Sequence, residues 1–252
     1  MLDLWKKHVK RPLKKRRLER GRARLEQQYE KIGDPKSYPV GSRGWLAATE
    51  KKYGGLVQGV KRRAYSAFDS RSEAMLKTGG MQGGDRMHHH GYGADYEHFL
   101  KAFIRRRFEE CAIVEVGILR GTGLALWRDM FPNSDVLGLD IDLSNYNAHL
   151  PKMLGLGAFA NGAAETHIFD QFVDGKERLS EILNGRKISI AVDDGVHFEK
   201  TIFKTAEGMK PFLAEEFVYF VEDNGAVVEG LRNIFPDADV FSRGELTVIC
   251  RN

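Results

Sequence analysis

The sequence predicts an α/β protein: a doubly wound, mostly parallel, Rossmann-like sheet with a basic, helical N-terminal extension. Three observations predict it. From Cys111 onward, short β-branched and aromatic runs alternate with amphipathic stretches of helical length, the pattern of strands joined by crossover helices. One run ends in a glycine turn, Glu115-Val-Gly-Ile-Leu-Arg-Gly-Thr-Gly123. Two others, Ala191-Val-Asp-Asp-Gly-Val-His197 and Phe217-Val-Tyr-Phe-Val-Glu-Asp-Asn224, end abruptly in acidic residues. Buried parallel strands deliver charge to the carboxyl edge of a sheet in this way.

The chain begins with its most biased segment. Residues 1–25 carry eleven Lys and Arg against Asp3 and Glu19, an excess of +9, whereas the whole chain carries +4, so the remainder is acidic by 5. Leu2, Trp5 and Val9 have helical spacing, and Pro12 is expected to end or kink that helix. Residues 1–30 thus read as an amphipathic basic arm suited to an anionic membrane surface, ahead of nucleic acid. A solvated extension, or an arm packed on a partner subunit, is the plainer alternative. Gly33–Gly44 is dense in turn formers, and the segment to about Glu73 is weakly helical, with Trp45, Leu46, Tyr53, Leu56 and Val60 as contacts. Residues 1–75 therefore form an extension, expected to pack on the core or on a second subunit, which leaves a homo-oligomer open. Residues 76–252 form the main domain.

That domain opens with glycine-rich residues 79–84 and with Asp85-Arg-Met-His-His-His-Gly-Tyr-Gly-Ala-Asp-Tyr96, a loop placed to cover a site. Side chains of adjacent residues diverge, so the three histidines suit a lid (residues 79–96) that contacts substrate better than a metal centre. Tyr96, Phe99, Leu100, Phe103 and Phe108 follow with helical spacing. The expected order is then a strand at Ala112–Val116, a helix at Leu124–Phe131, a strand at Val136–Leu139, an irregular stretch, and a strand at Thr166–Phe169. A helix at Glu177–Leu183, a strand at Ile188–Val192, a helix bearing Phe198, Ile202, Ala206, Met209 and Phe212, and a strand at Val218–Val221 come next. A short helix through Val228 and Leu231 and a strand at Leu246–Cys250 close the chain. Cys111 and Cys250 read as buried thiols, and two sulfurs exclude a disulfide framework or a structural zinc site. No apolar run approaches the roughly 20 residues that span a bilayer, and the N-terminus has no secretory apolar region, so the expected location is the cytosol, peripheral at the inner membrane face if the arm binds there.

The glycine turn lets a ligand approach the backbone at Gly117 and Gly121 while helix N–H groups face an anionic group. Asp140 ends the next strand, where a carboxylate can take both hydroxyls of a ribose, although nearby Asp142 leaves that assignment open. Together they suggest an adenosine-containing cofactor; the plain alternative is a turn that serves packing. Asp193, Asp194, Glu222 and Asp223 would crowd together, and a divalent cation is the simplest resident. Asp193 suits a structural cap better than a ligand. His197 lies three residues beyond Asp194 and is either a base or a capping histidine. Glu222 and Asp223 suit either a metal or a cationic substrate.

At these residues the chain resembles the class I S-adenosylmethionine-dependent methyltransferases, over about residues 80–252. Within them it is most similar to the metal-dependent macrolide-sugar (mycinamicin-type) and polysaccharide O-methyltransferases. The resemblance rests on Asp85-Arg86 with His90-Gly-Tyr92 and Tyr96, on the Asp-Asp-Gly-x-His run at Asp193–His197, and on Glu222-Asp223. It implies S-adenosyl-L-methionine and Mg2+ (or another divalent cation) as cofactors, with Asp194, Glu222 and Asp223 as metal ligands and His197 as the general base. It further implies that Glu115, Gly117 and Asp140 line the cofactor, with Asp170 and Gln171 near the adenine and Tyr92 on the cofactor-side lid. The implied acceptor is a sugar hydroxyl of a glycan or glycosylated metabolite. Arg86 stands where Lys is more usual, and the basic arm has no counterpart. The rival readings are a catechol-type small-molecule O-methyltransferase and, outside enzymes, a nucleic-acid-binding protein. The acidic cluster speaks against the last.

Overall fold

The computed structural model describes residues 21, 23–60, 67, 72 and 81–251. The strands are β1 (Val57–Val60), β2 (Met81–Gly83), β3 (Ala112–Val116), β4 (Asp135–Asp140), β5 (Glu165–Ile168), β6 (Ile188–Asp193), β7 (Leu213–Val221), β8 (Asp239–Arg243) and β9 (Leu246–Arg251). The labelled helices are α1 (Arg43–Tyr53), α2 (Gly93–Arg105), α3 (Thr122–Met130), α4 (Ser144–Gly155), α5 (Lys176–Leu183), α6 (Glu199–Met209) and α7 (Val228–Ile234). Residues 23–30 are also helical.

Seven strands form one sheet in the order β5-β4-β3-β6-β7-β9-β8, and β1 pairs with β2 as a separate antiparallel ribbon. Strands β5, β4, β3, β6 and β7 are mutually parallel, while β9 runs antiparallel to both β7 and β8. This is the expected doubly wound, mostly parallel Rossmann-like sheet. Strand order reverses between β3 and β6, so the crevice for a ligand lies over their carboxyl ends. The acidic strands β6 and β7 are neighbours, with Asp193 opposite Val221.

Two apolar layers cover the sheet. On one face Ile113, Val136, Ile190, Val192, Val218, Phe220 and Val248 meet side chains of α1, α2, α3 and α4. On the other, Val114, Val116, Leu137, Leu139, Tyr219, Val221 and Ile249 meet α5, α6 and α7. Successive strand residues face opposite sides, and this parity governs the site described below.

Helix α1 shows how the N-terminal segment joins the body. The Ser42 side chain caps it by accepting Trp45 N–H at 3.3 Å, and it buries Trp45, Leu46, Ala47 and Tyr53 in the first layer. Tyr53 Oη donates to Asp129 of α3 at 2.5 Å, and Lys51 Nζ donates to the carbonyls of Tyr29, Glu30 and Ile32 at 2.9–3.0 Å, holding the end of helical residues 23–30. The portion of the N-terminal extension at residues 43–53 is therefore part of the core. Of the basic arm at residues 1–30, residues 1–20 and 22 lie outside the described residues.

Sequence and structure differ at several elements: β1 falls in the segment expected to be weakly helical, and β2 in the glycine-rich entry to the lid. The stretch read as irregular after β4 contains α4, whose Tyr146, His149 and Met153 are buried at helical spacing despite Pro151 inside the helix. Strand β8 was not expected; its half-exposed edge position, next to β9 alone, demands little apolar patterning. Cys111 immediately precedes β3 and is partly exposed, whereas Cys250 is buried within β9; both are free thiols. Among the described residues no helix is long and apolar enough to cross a membrane.

Leu46 is fully buried in the first layer. Leu46→Ala is expected to lower the unfolding free energy by about 2–5 kcal/mol, measured by urea denaturation. Half-exposed Leu154→Ala is expected to change it by no more than about 0.5 kcal/mol.

Candidate active site

The glycine turn joins β3 to α3 at the crevice. Gly117 has φ +85°, and a Cβ there would sit 2.0 Å from the Asp194 carbonyl oxygen, so only glycine lets the two loops touch. Gly121 (φ +80°) starts α3, and a Cβ on it would strike the Tyr146 ring. Asp140 supports the turn from β4: its carboxylate accepts the N–H groups of Leu119 and Asp142, each at 3.1 Å. Its observed role is to shape the loop beside the crevice.

Strand parity splits the adjacent acids of β6. Asp193 faces the second layer, where it accepts Gln171 Nε2 at 2.9 Å, Gly195 N–H at 3.3 Å and Tyr219 Oη at 3.4 Å. Burial pushes its pKa up to about 6. Asp194 faces the first layer together with Glu115 and Glu222, and Arg86 from the loop before α2 sits among the three. Its Nη2 lies 2.9 Å from both Glu115 Oε1 and Asp194 Oδ2, and its Nε lies 2.9 Å from Glu222 Oε2. Trp127 Nε1 donates to the other Glu115 oxygen at 2.5 Å, and Tyr96 Oη donates to Glu222. Burial raises Glu222 well above the usual carboxylate range, opposed by the Arg86 charge. The Arg86 guanidinium is in turn held protonated by Glu115 and Glu222 against its own burial.

A second grouping lies at the mouth. Asp194, His197 and Asp223 each offer one ligand atom, all within 4.8 Å of one another. His197 Nδ1 lies 3.3 Å from the Glu222 carbonyl oxygen, which can only accept, so Nδ1 carries the proton of the neutral ring. Nε2 then presents its lone pair 3.8 Å from Asp194 Oδ1 and 4.0 Å from Asp223 Oδ2. Both His197 (φ +59°) and Asp223 (φ +57°) have left-handed backbones, each costing roughly 1–3 kcal/mol. Asn224 fixes this bend by donating to the His197 carbonyl at 2.9 Å. Tyr92 Oη donates to Asp223 Oδ1 at 2.7 Å. His90, bonded to Asp85 at 3.2 Å and lying 3.3 Å from Asp223, is pushed up to about 9 and is a cation at neutral pH.

The structure thus brings Asp194, Asp223 and His197 together, with Gly117 against them. It places Glu222 behind them, its carboxylate engaged by Arg86 and Tyr96. Tyr92 is on the lid and bonded to Asp223. Asp170 closes an Asx turn by accepting Phe172 N–H at 2.9 Å. Gln171 lies beneath the β6–α6 turn: besides Asp193 it donates to Thr205 at 3.1 Å and accepts Val196 N–H at 3.0 Å. That commits its amide to shaping the turn. Sequence reasoning missed Glu50, Trp127 and the central place of Arg86. Parity within β3 offered a signal for Trp127, since Glu115 shares a face with Ile113, and a buried indole N–H needs an acceptor.

Glu50, Arg86, Met87, Glu115, Gly117, Thr122, Leu126 and Asp194 enclose a cavity of about 50 Å³ over the glycine turn. Nucleotide-sized ligands need roughly 300–1,000 Å³, so the lid must withdraw to admit one. A larger cleft of about 860 Å³ opens at the opposite, amino edge of the sheet, between Cys111, Ser189 and Glu215. It contains no glycine turn, and its acid pairs, Glu109 with Glu110 and Glu215 with Glu216, lie at the amino ends of the strands, away from the crevice.

No protein-family model matches the sequence, and no curated protein matches it. Among solved structures, the MycE methyltransferase from the mycinamycin biosynthetic pathway in complex with Mg and SAH aligns with 60% of this chain and 48% of its own, at 18% identity and a TM-score of 0.46. Its complex with Mg, SAH and mycinamycin VI gives 17% identity at the same TM-score. A protein assigned as a caffeoyl-CoA O-methyltransferase from Staphylococcus aureus aligns over 60% of this chain and 79% of its own, at 12% identity and a TM-score of 0.43. This chain spans about half the length of the mycinamycin structures. At such values the likeness assigns neither ligand nor activity.

Removing Arg86 strands two buried carboxylates. Arg86→Ala is expected to lower stability by about 3–5 kcal/mol near neutral pH. A carboxyl whose folded pKa is raised favours the fold below its unfolded pKa and withdraws that support as pH rises through the folded value. Loss of Arg86 raises Glu222 further, so thermal denaturation is expected to show a smaller deficit at pH 5 than at pH 8.

Proposed function

We propose that the protein is an S-adenosylmethionine-dependent O-methyltransferase that uses a divalent cation and acts on a sugar hydroxyl of a glycan or glycosylated metabolite. The observation that carries this reading is the convergence, over the carboxyl ends of β3, β6 and β7, of a glycine turn with the Asp194, His197 and Asp223 grouping. The motif resemblance described above supports the cofactor and acceptor class.

The donor set fits a hard cation. Mg2+ prefers oxygen ligands, which assigns it to Asp194 and Asp223, with Glu222 as a third ligand if Arg86 and Tyr96 release it. When bound, S-adenosylmethionine supplies an electrophilic methyl group, and the cation lowers the pKa of a bound hydroxyl. The chain's own residues do the rest. Tyr92 holds Asp223 in place, and the Glu222 carbonyl holds His197 Nδ1–H. His197 Nε2 thereby remains free to take the proton of the attacking hydroxyl. The tightly packed Gly117 and Asp194 backbones fix the direction of approach.

An aromatic acceptor is the second reading, favoured by one observation. Phe172 and Phe198, the latter next to His197, form an edge-on ring pair with centroids 6.3 Å apart, and Val173 beside them is half exposed. A catechol would supply both vicinal oxygens and an apolar face to such a wall.

Transfer of labelled methyl from S-adenosylmethionine into fractionated cell extract decides between them. Label is expected in a glycan fraction with Mg2+ present and to disappear on chelation. His197→Ala and Asp194→Asn are each expected to lower the rate by about 10²–10⁴-fold. Label that persists in chelator removes the metal from the reading, and label confined to aromatic acceptors selects the catechol alternative.

The arm at residues 1–30 suits a lipid-linked acceptor at an anionic membrane face, where each basic residue contributes about 1 kcal/mol. The whole chain is expected to sediment with phosphatidylserine vesicles at low salt. A chain lacking residues 1–20 is expected to lose that binding, and unchanged sedimentation would leave the arm without a membrane role.

A further inference from the structure

Four carboxyl groups line the cavity over the glycine turn: Glu50, Asp85, Glu115 and Asp194. Three have a charged partner. Asp85 pairs with His90, and Glu115 and Asp194 share Arg86. Glu50 has no ion pair among the described residues. It is 3% exposed, and it accepts the Met87 N–H, 3.2 Å from Oε1 and 3.0 Å from Oε2, with the His88 amide as a further backbone partner. Two neighbouring backbone amides still leave a buried carboxyl underserved, since such a group accepts about four hydrogen bonds. Burial, reinforced by the Asp85 charge and opposed by Arg86 and by the Met87 and His88 amides, pushes Glu50 up to about 7, so an ammonium arriving beside it would find a carboxyl ready to ionise.

Glu50 belongs to α1, which no part of the proposed site draws upon. Helix α1 packs against α3, at whose start the glycine turn ends: Gly54, four residues beyond Glu50, lies so close that a Cβ would sit 2.3 Å from Thr122 Oγ1. Leu126, one turn into α3, lines the same cavity. Glu50 is therefore held at the α3 side of the turn, on the opposite wall from the Asp194 and His197 mouth. A ligand lying across the turn with its reactive centre toward His197 would bring its far end to Glu50. A single carboxyl suits a monovalent ammonium, because a divalent cation needs several oxygen ligands.

We propose that Glu50 binds the α-ammonium group of an amino-acid-bearing ligand over the glycine turn, so that the N-terminal segment supplies part of the cofactor site. This rests on the reading that the ligand is S-adenosylmethionine, whose far end is an amino acid. Glu50 has a second duty in the closed lid, as acceptor for Met87, the residue after Arg86. Withdrawal of the lid would free both oxygens for the ligand.

The test is a cycle between the ligand's amine and Glu50, read by titration calorimetry on the whole chain. The ligands are S-adenosylhomocysteine and its analogue with hydrogen in place of the α-amino group. The unsubstituted protein is expected to prefer the amine by about 10–100-fold, the range of a charged hydrogen bond. In Glu50→Gln the preference is expected to fall below about threefold, with affinity for the deaminated analogue little changed. No preference in the unsubstituted protein would overturn the assignment. A preference that survives Glu50→Gln would overturn it too, and so would equal weakening of both ligands, which would leave Glu50 with the lid alone. Should Glu50→Gln fail to fold, Glu50→Asp tests the same point, since its shorter reach must shrink the preference. If the unsubstituted protein binds neither S-adenosylmethionine nor S-adenosylhomocysteine, the functional reading itself fails, an outcome distinct from all the others.

Discussion

The acidic ends of β3, β6 and β7 cannot meet at one sheet edge unless something offsets their charge, and in this structure Arg86 does so. Glu115 and Glu222 are each 2% exposed, too deeply placed for water to stabilise them as anions. The guanidinium fork reaches both and Asp194 as well, which one ammonium on a Lys stem would do less well. Since Arg86 is on the loop preceding α2, the charge balance of the sheet edge also fixes where that loop rests. Tyr96, one turn into α2, reinforces the placement by bonding Glu222 and by stacking on Phe220 with centroids 4.0 Å apart. Electrostatics and packing thus hold the lid at the same spot.

The central sheet was legible because parallel strands buried on both faces must be apolar throughout, and β3, β6 and β7 have no other reading. Helix α4 was not legible. Asn145, Asn147, Pro151 and Gly155 argue against a helix one by one, yet Tyr146, His149 and Met153 are buried on one side and outweigh them. Helix α1 was half legible for the opposite reason. Its apolar positions were visible, but Thr49 and Glu50 are buried along with them, and no local pattern announces a buried glutamate.

At the site, residue types were easier to read than their neighbours. The Asp-Asp-Gly-x-His run marked a strand end correctly, and alternation along β6 fixes which Asp faces which layer: Val192 is in the first layer, so Asp193 must be in the second. The same rule sends Glu115 and Glu222 to one side, because Ile113 and Phe220 already face it. What alternation cannot give is the counter-charge. Arg86 lies 29 residues before Glu115 and 136 before Glu222, and nothing in either strand specifies a guanidinium between them. Gln171 illustrates the same limit, since its position after β5 put it near the crevice while the needs of Asp193 and the Val196 amide decided where its side chain went.

The two walls of the crevice differ in how firmly they are built. Around Asp194 and His197 the backbone itself is locked: Gly117 touches Asp194, Gln171 and Asn224 clamp the turn, and His197 and Asp223 keep left-handed conformations that only a well-determined surrounding can maintain. The opposite wall is made of side chains from the lid and α1, joined through Arg86 and through the Met87 amide on Glu50. The Arg86 and Met87 contacts that close this wall are polar or ionic, made to groups that a cationic or hydrogen-bonding ligand can satisfy as well. A site with one rigid wall and one exchangeable wall that trades internal partners for a ligand can be filled without remodelling the sheet. In such a site the price of opening the lid is offset by the groups the ligand itself brings.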